Sequence, residues 1–334
     1  MSLKILKTGI FDTVQDLGRY GYQHTGINPG GVMDRYAASI ANILVGNEPN
    51  EAVIELHFPG PIIFFESAAI IALSGADFDA SVNDESVAIN HVICVPAGAT
   101  LQFKALKKGA CCYLAVKGGF KLPKWLNSYS TNIKAGVGGL SGRRLVKDDV
   151  IIFNLEADLV FLNDKNYCNI LSWSVNEDFG VAHNTSLLVI PGAEWNWLTQ
   201  SSKDKFLKNP FYITHNSDRM GFRLASEPLL TIEKKELVSS AVSFGTIQLL
   251  PDGQLIILMA DHQTTGGYPR IGNIISVHLP LLAQKNAGEQ IHFAFTDNSS
   301  AENLILKQQQ HLHQLQIACK LRLENFLHEM NVHE

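Results

Sequence analysis

LIILMADHQTTGGYPRIG, residues 255–272, decides how the rest of the chain is read. Leu255 to Ala260 is an unbroken apolar run, and such a run reads as a β-strand covered on both faces. It then delivers Asp261, His262, Gln263, Thr264 and Thr265 in direct succession. A rigid strand that ends in a dense polar loop is where binding and catalytic groups are commonly carried. Gly266-Gly267 permits positive φ, which would let backbone amides converge on an anion, and Tyr268-Pro269 stiffens the exit. The plainer alternative is a Gly-Gly turn with solvated polar residues.

Outward from this stretch the same pattern recurs. Ala52 to Leu56, Ile62 to Phe65, Ile70 to Leu73, His91 to Val95, Cys112 to Val116, Val150 to Phe153, Leu187 to Ile190 and Leu229 to Ile232 are short apolar runs. Gly60-Pro61, Pro96-Ala97-Gly98, Pro191-Gly192 and Asp252-Gly253 punctuate them, so the chain is expected to be mainly β, in barrels or sandwiches. Helices are few. Asp34 to Val45 places Tyr36, Ala37, Ile40, Ala41 and Leu44 on one face and stops at Gly46-Asn47; Leu279 to Lys285 reads as a short helix and Ala301 to Leu327 as a long polar one.

At 334 residues the chain exceeds the roughly 250–300 beyond which single cores stop growing, so two domains are expected. The strand pattern breaks between Phe153 and Cys168, which suggests domains 1–158 and 159–296 and a helical tail 297–334. A net charge of -5 without a basic block argues against nucleic acid. No apolar run is long enough for a signal-peptide core or a membrane span, and a cytoplasmic protein is expected. The five cysteines include no C-x-x-C pair and read as small core residues.

Several chemistries lack their motifs. The glycine-rich Gly136 to Gly142 is followed by Arg143-Arg144 rather than the Gly-Lys-Ser/Thr of a phosphate loop. His328, Glu329 and His333 miss the H-E-x-x-H spacing of a zinc helix, so no metal site is expected. Ser141 lacks a nucleophile elbow. No methionine precedes a lysine, so this chain bears no covalent biotin.

Three further clusters carry polar chemistry. Gln15, Asp16, Arg19 and Asp34 lie in a glycine-rich stretch that brings backbone close to a partner or ligand; they either clamp a substrate or include a structural Asp16–Arg19 ion pair. Ser128, Ser130 and Thr131, with Arg143 downstream, suit an anion, although a plain Ser/Thr turn is equally compatible. In Asp218-Arg219-Met220-Gly221-Phe222-Arg223 two guanidiniums bracket a glycine; they either converge on an anion or pair with Asp218 at the surface.

The order of V-Q-D-L-G-R at Val14 to Arg19, G-x-M-D at Gly31 to Asp34, L-x-G-A-D at Leu73 to Asp77, Y-L-A-V-x-G-G at Tyr113 to Gly119, S-x-S-T at Ser128 to Thr131, D-R-M-G-F-R-L at Asp218 to Leu224, G-x-I-Q at Gly245 to Gln248 and M-A-D-x-Q-T-T-G-G-Y-P at Met259 to Pro269 resembles the biotin-dependent carboxyltransferase-like family. That resemblance implies two cyclophilin-like β-barrel domains. It implies one component of ATP-dependent 5-oxoprolinase, which with partner subunits A and B opens 5-oxoproline to glutamate, ATP (with Mg) being used by the assembled complex. The alternatives are a carboxyltransferase acting on urea or a related amide with a biotinylated partner, and a non-catalytic regulatory partner of its sister subunit. For Asp261, His262 and Asp34 the expected role is catalytic. Anion and substrate binding is expected of Gln15, Arg19, Ser128, Ser130, Thr131, Arg143, Arg219, Arg223, Gln248, Gln263, Thr264, Thr265, Gly266, Gly267 and Tyr268. His262 stands where the family often carries arginine, which replaces a fixed charge by a group that titrates near neutrality.

Overall fold

A computed structural model describes residues 1–154, 168–176, 186–233 and 235–332. The boundary expected at 158/159 and His333 lie outside the described residues. Two compact units are present: Met1–Gly18 with Asp34–Phe179 and Gln309–Glu334, and Arg19–Met33 with Gly180–Gln308. The chain therefore leaves the first unit for the Arg19–Met33 excursion and returns, and the tail is divided between the two units instead of forming a third.

The first unit holds two six-stranded sheets. One runs Val150–Ile152, Ser2–Lys7, Ile62–Phe65, Thr100–Phe103, Ala80–Val82, Glu85–Ser86; the other runs Asn169–Ser174, His91–Val95, Ala69–Asp77, Lys108–Val116, Val53–His57, Thr13–Gln15. Period-two alternation sends Leu3, Ile5, Ile63, Phe65, Ile71, Leu73, Cys112 and Leu114 into one apolar core. Helix Arg35–Leu44 packs against the strands Ala69–Asp77 and Lys108–Val116. Its start and stop are chemical: Asp34 Oδ1 accepts the Ala37 amide at 2.9 Å, and Gly46, at φ 73°, takes the left-handed conformation that ends it.

In the second unit eight strands line up as Gln290–Ile291, Phe211–Ile213, Gly221–Ala225, Leu255–Leu258, Thr246–Leu249, Arg270–Ile274, Leu187–Pro191 and Phe293–Phe295. The two edge strands are separated by His292 alone, so one short segment supplies both edges and the sheet curls into a nearly closed barrel. Phe222, Leu224, Ile247, Leu249, Leu255 and Ile257 alternate onto its buried face. Phe206 stacks on Phe293 with ring centroids 4.6 Å apart. It comes from helix Gln200–Lys208, which the sequence reading missed because Phe206 and Leu207 are its only apolar residues; the available signal was Thr199, whose hydroxyl caps the Ser202 amide at 3.2 Å.

The mainly-β reading with few helices holds. One strand does not: Leu229–Ile232 follows Pro228 and finds only an isolated bridge between Thr231 and Leu198, leaving Leu230 and Ile232 exposed. All five cysteines are free and four are buried. Among the described residues no helix is long and apolar enough to cross a membrane.

Asp12 is a built-in stress of the first unit. It is 1% exposed, accepts amides from Gly9 and His57, and burial pushes its carboxyl up to about 7. An unfolded Asp titrates near 3.9, so between roughly pH 4 and pH 7 the native state keeps a proton that the unfolded chain has released. Stability contributed by this group is thus greatest in acid and falls as pH rises to about 7, at ~1.4 kcal/mol for each unit of displacement. Urea unfolding followed from pH 4.5 to 7.5 is expected to show this decline in the native chain and a flatter profile in Asp12→Asn; identical profiles would remove Asp12 as its source.

Candidate functional site

Register on the barrel sheet builds the site. Arg223 pairs with Ile256, and Ile256 with Gln248, so the three side chains form one row across three adjacent strands, on the face opposite Phe222, Leu224, Ile257 and Ile247. A pocket of about 500 Å³ lies over this row. Gly221, Asn216, Asp218, Met220, Leu250, Pro251, Asp252, Gln263 and Tyr268 complete its lining. Gly221 is needed because Ile256 packs over it: a Cβ there would lie 2.7 Å from Ile256 Cδ1. The Leu255–Leu258 strand was expected to be covered on both faces, but Ile256 is only partly buried and floors the pocket.

Beside the pocket, Arg219 grips Asp261. Its Nε donates to Oδ2 at 2.8 Å and its NH2 to Oδ1 at 3.2 Å, while NH2 also reaches the Gly31 carbonyl at 2.5 Å. The Asp261 amide donates to the Arg219 carbonyl at 2.7 Å. Arg19 belongs to the same neighbourhood: a Cβ on Gly30 would lie 3.1 Å from Arg19 NH1 and 3.6 Å from Asp261 Oδ1, so glycine at 30 lets both groups close in. Asp218 does not pair with either arginine; it accepts the Met220 and Gly221 amides at 2.8 and 3.2 Å and shapes the turn. Arg223 lines the pocket, and among the described residues its guanidinium enters no ion pair.

The polar loop is organised differently from its sequence reading. Buried His262 has Nδ1 2.6 Å from the Gln263 carbonyl, so Nδ1 carries the proton and donates. Neither Gly266 nor Gly267 has a positive φ. Thr265–Gly266 instead pairs with Ser240–Ala241 as a short ribbon, and no anion nest forms there. The glycines serve close approach: a Cβ on Gly266 would collide with Gln248 Nε2, and one on Gly267 would lie 3.3 Å from Ser239 Oγ. Thr264 gives its carbonyl to the Val242 amide.

The remaining candidates lie in the first unit and are engaged there. Ser128 and Ser130 donate their hydroxyls to Asp16 Oδ1 at 2.7 and 2.5 Å, and the Tyr129 amide donates to Oδ2. The anion held by the S-x-S-T turn is therefore the chain's own carboxylate. Thr131 Oγ1 donates to the Val14 carbonyl, and Gln15 Nε2 to Thr13 Oγ1. Arg143 spends its fork on Asp149, with both contacts at 2.7 Å. Asp34 caps its helix. Asn216, Met220 and Asp252 line the pocket without having been picked out from the sequence; a lone Asn or Asp in a turn carries no signal that distinguishes it from a solvated one. Among the described residues no cluster of His, Cys, Asp and Glu gathers to hold a metal ion.

Residues 25–295 match a family model described as carboxyltransferase domain, subdomain A and B. The chain is similar to a protein of Escherichia coli (strain K12) named as a subunit of 5-oxoprolinase, at 35% identity over 97% of this chain and 100% of that one. A protein of the same name from Haemophilus influenzae is 36% identical over 91% of this chain and 94% of its own. The fold is shared with the crystal structure of K. lactis urea amidolyase, with a TM-score of 0.85 over 94% of this chain and 20% of that one at 24% identity.

The Arg219–Asp261 pair is largely sheltered, with side chains 9% and 26% exposed. Removing one partner of such a pair strands the other, at a cost of about 3 kcal/mol. Asp261→Ala is expected to lose that much in urea unfolding, and Asp261→Ala with Arg219→Met to recover most of it. Equal losses in the single and double variants would contradict the coupling.

Proposed function

Because this chain belongs to the family of carboxyltransferase domains with subdomains A and B, we propose that it serves as a subunit of an ATP-dependent 5-oxoprolinase, a hydrolase that opens the lactam of 5-oxoproline to glutamate. The observation that carries this reading is end-to-end likeness: relatives named as subunits of 5-oxoprolinase match from 91% to 97% of this chain and at least 94% of themselves. Partner subunits A and B complete the enzyme in this reading.

The pocket of the second unit suits a small anion. Arg223 offers a guanidinium to the substrate carboxylate, the apolar face of Ile256 and Leu250 takes the ring, and the side-chain amides of Asn216, Gln248 and Gln263 surround the polar edge. Asp261 is held by Arg219, so in this reading it positions the pocket wall and the loop to Gln263 instead of moving a proton. His262 donates its Nδ1 proton to the Gln263 carbonyl, which fixes the ring against its own loop.

The lining does not fit a nucleoside triphosphate. Arg223 is the single cation among the lining residues, against the carboxylates of Asp218 and Asp252, whereas a polyphosphate calls for several cations or a nest of amides. This pocket is accordingly not where ATP and its Mg would bind; in this reading the assembled complex holds them elsewhere.

Purified with its partner subunits, the native chain is expected to support ATP-dependent release of glutamate from 5-oxoproline. Arg223→Ala should raise KM for 5-oxoproline by about tenfold or more, the loss of one charge-assisted contact. Absence of glutamate release, or carboxyl transfer from a biotinylated partner to urea in its place, would overturn the assignment.

A further inference from the structure

Gln248 is only 1% exposed, and among the described residues neither its Oε1 nor its Nε2 has a hydrogen-bond partner. Burying a carboxamide unpaired is unfavourable, and a central strand position of this kind ordinarily takes an apolar residue. On the same face of the same strand Thr246 shows the usual solution, its hydroxyl donating to Asn273 Oδ1 at 2.8 Å. Gln248 is instead a lining residue of the pocket, and its Nε2 lies where a Cβ on Gly266 would fall. A buried amide kept unsatisfied at a pocket wall, with a glycine reserved to make room for it, is built for a ligand.

The amide's geometry says which ligand. Oε1 accepts and Nε2 donates along one edge, so the complementary partner must present an N–H and a C=O side by side. A lactam does this because its ring fixes the amide cis; a primary amide and urea do it as well. An ordinary trans secondary amide puts N–H and C=O on opposite sides and can satisfy only half of the edge. A carboxylate or ester has no N–H to give.

We propose that Gln248 reads the cis-amide edge of the substrate, the lactam N–H donating to Oε1 and the lactam C=O accepting from Nε2, with Gly266 holding open the space for that amide. This rests on the lactam-opening reading for the identity of the substrate. It adds to that reading a specificity-determining residue and a reason why a ring amide is preferred to its open-chain counterpart. Arg223 lies two strand spacings away in the same row, roughly 10 Å between Cα atoms, close enough for its long side chain to take the carboxylate of the same molecule.

Two neutral hydrogen bonds correspond to between about tenfold and a hundredfold. In the assembled enzyme, Gln248→Leu is expected to raise KM for 5-oxoproline by that factor while the melting temperature stays level or rises, since an unpaired buried amide has been replaced by an apolar group of comparable size. Gly266→Ala, which displaces the Gln248 amide, should raise KM in the same direction. Inhibition by N-acetylalanine, which carries a carboxylate and a trans amide, should weaken by no more than about tenfold in Gln248→Leu and by less than the change in KM for 5-oxoproline, half of the edge being lost at most. Ligand-observed NMR titration of the full chain alone provides a second arm, with 2-pyrrolidone (cis) expected to lose more affinity in Gln248→Leu than N-methylacetamide (trans). A KM within about twofold of native in Gln248→Leu, or equal losses for cis and trans amides, overturns the proposal. If the native complex turns over no 5-oxoproline yet the cis-selective loss persists in the titration, the function assignment fails and the role of Gln248 stands.

Discussion

The antiparallel ladder between Gly221–Ala225 and Leu255–Leu258 does not stop at its last strand pair; it is carried onward by Arg219 and Asp261. The Met259 amide reaches the Met220 carbonyl at 3.0 Å and the Asp261 amide reaches that of Arg219 at 2.7 Å, after which the two side chains close a bidentate ion pair. Both chain segments that frame the pocket spring from this point, one leading back to Asp218 and Asn216 and the other forward to Gln263 and Tyr268. Arg219 also reaches the Gly31 carbonyl, so the Arg19–Met33 excursion is fastened to the same knot. Loose loops could not hold a pocket wall within a fraction of an ångström; a ladder ending in a sheltered ion pair can.

Space is the second constraint. Gly221 leaves room for Ile256, and Gly266 leaves room for the amide of Gln248. Neither glycine is used for a left-handed backbone. Both mark places where a side chain from another strand lies against main chain: Gly221 itself lines the pocket, and Gly266 lies against Gln248, which lines it. An unsatisfied amide in such a place costs stability in the empty protein and returns it when a ligand of matching edge arrives, which is how a neutral group contributes discrimination without charge.

The sequence told part of this. Apolar runs with turn punctuation pointed to the β-rich class, and the helix Arg35–Leu44 was legible to within its caps because Asp34 and Gly46 are chemical boundaries. A barrel was expected from the resemblance, but which strands close it was hidden, since closure depends on Gln290–Ile291 and Phe293–Phe295 pairing at opposite ends of one sheet. Helix Gln200–Lys208 lacked an apolar stripe to announce it. At the site, the polar loop after Ala260 drew attention for a sound reason, but Gly-Gly was read as a φ device when close packing was its purpose. Ser128 and Ser130 looked free to take a ligand because nothing local reveals that Asp16, more than a hundred residues earlier, already occupies them, and Arg143 because spacing alone does not single out Asp149, six residues on, as its partner. Periodicity reports which face is buried; it does not report which polar group on that face is already spoken for.

If the substrate sits over the row Arg223–Ile256–Gln248 on the second unit's barrel, a crystal structure of the native chain soaked with 5-oxoproline is expected to show the ring over Ile256, its lactam edge against the Gln248 amide and its carboxylate toward Arg223. A ligand bound elsewhere, for example at the Asp16, Ser128 and Ser130 cluster of the first unit, with Gln248 still facing an empty pocket, would contradict it.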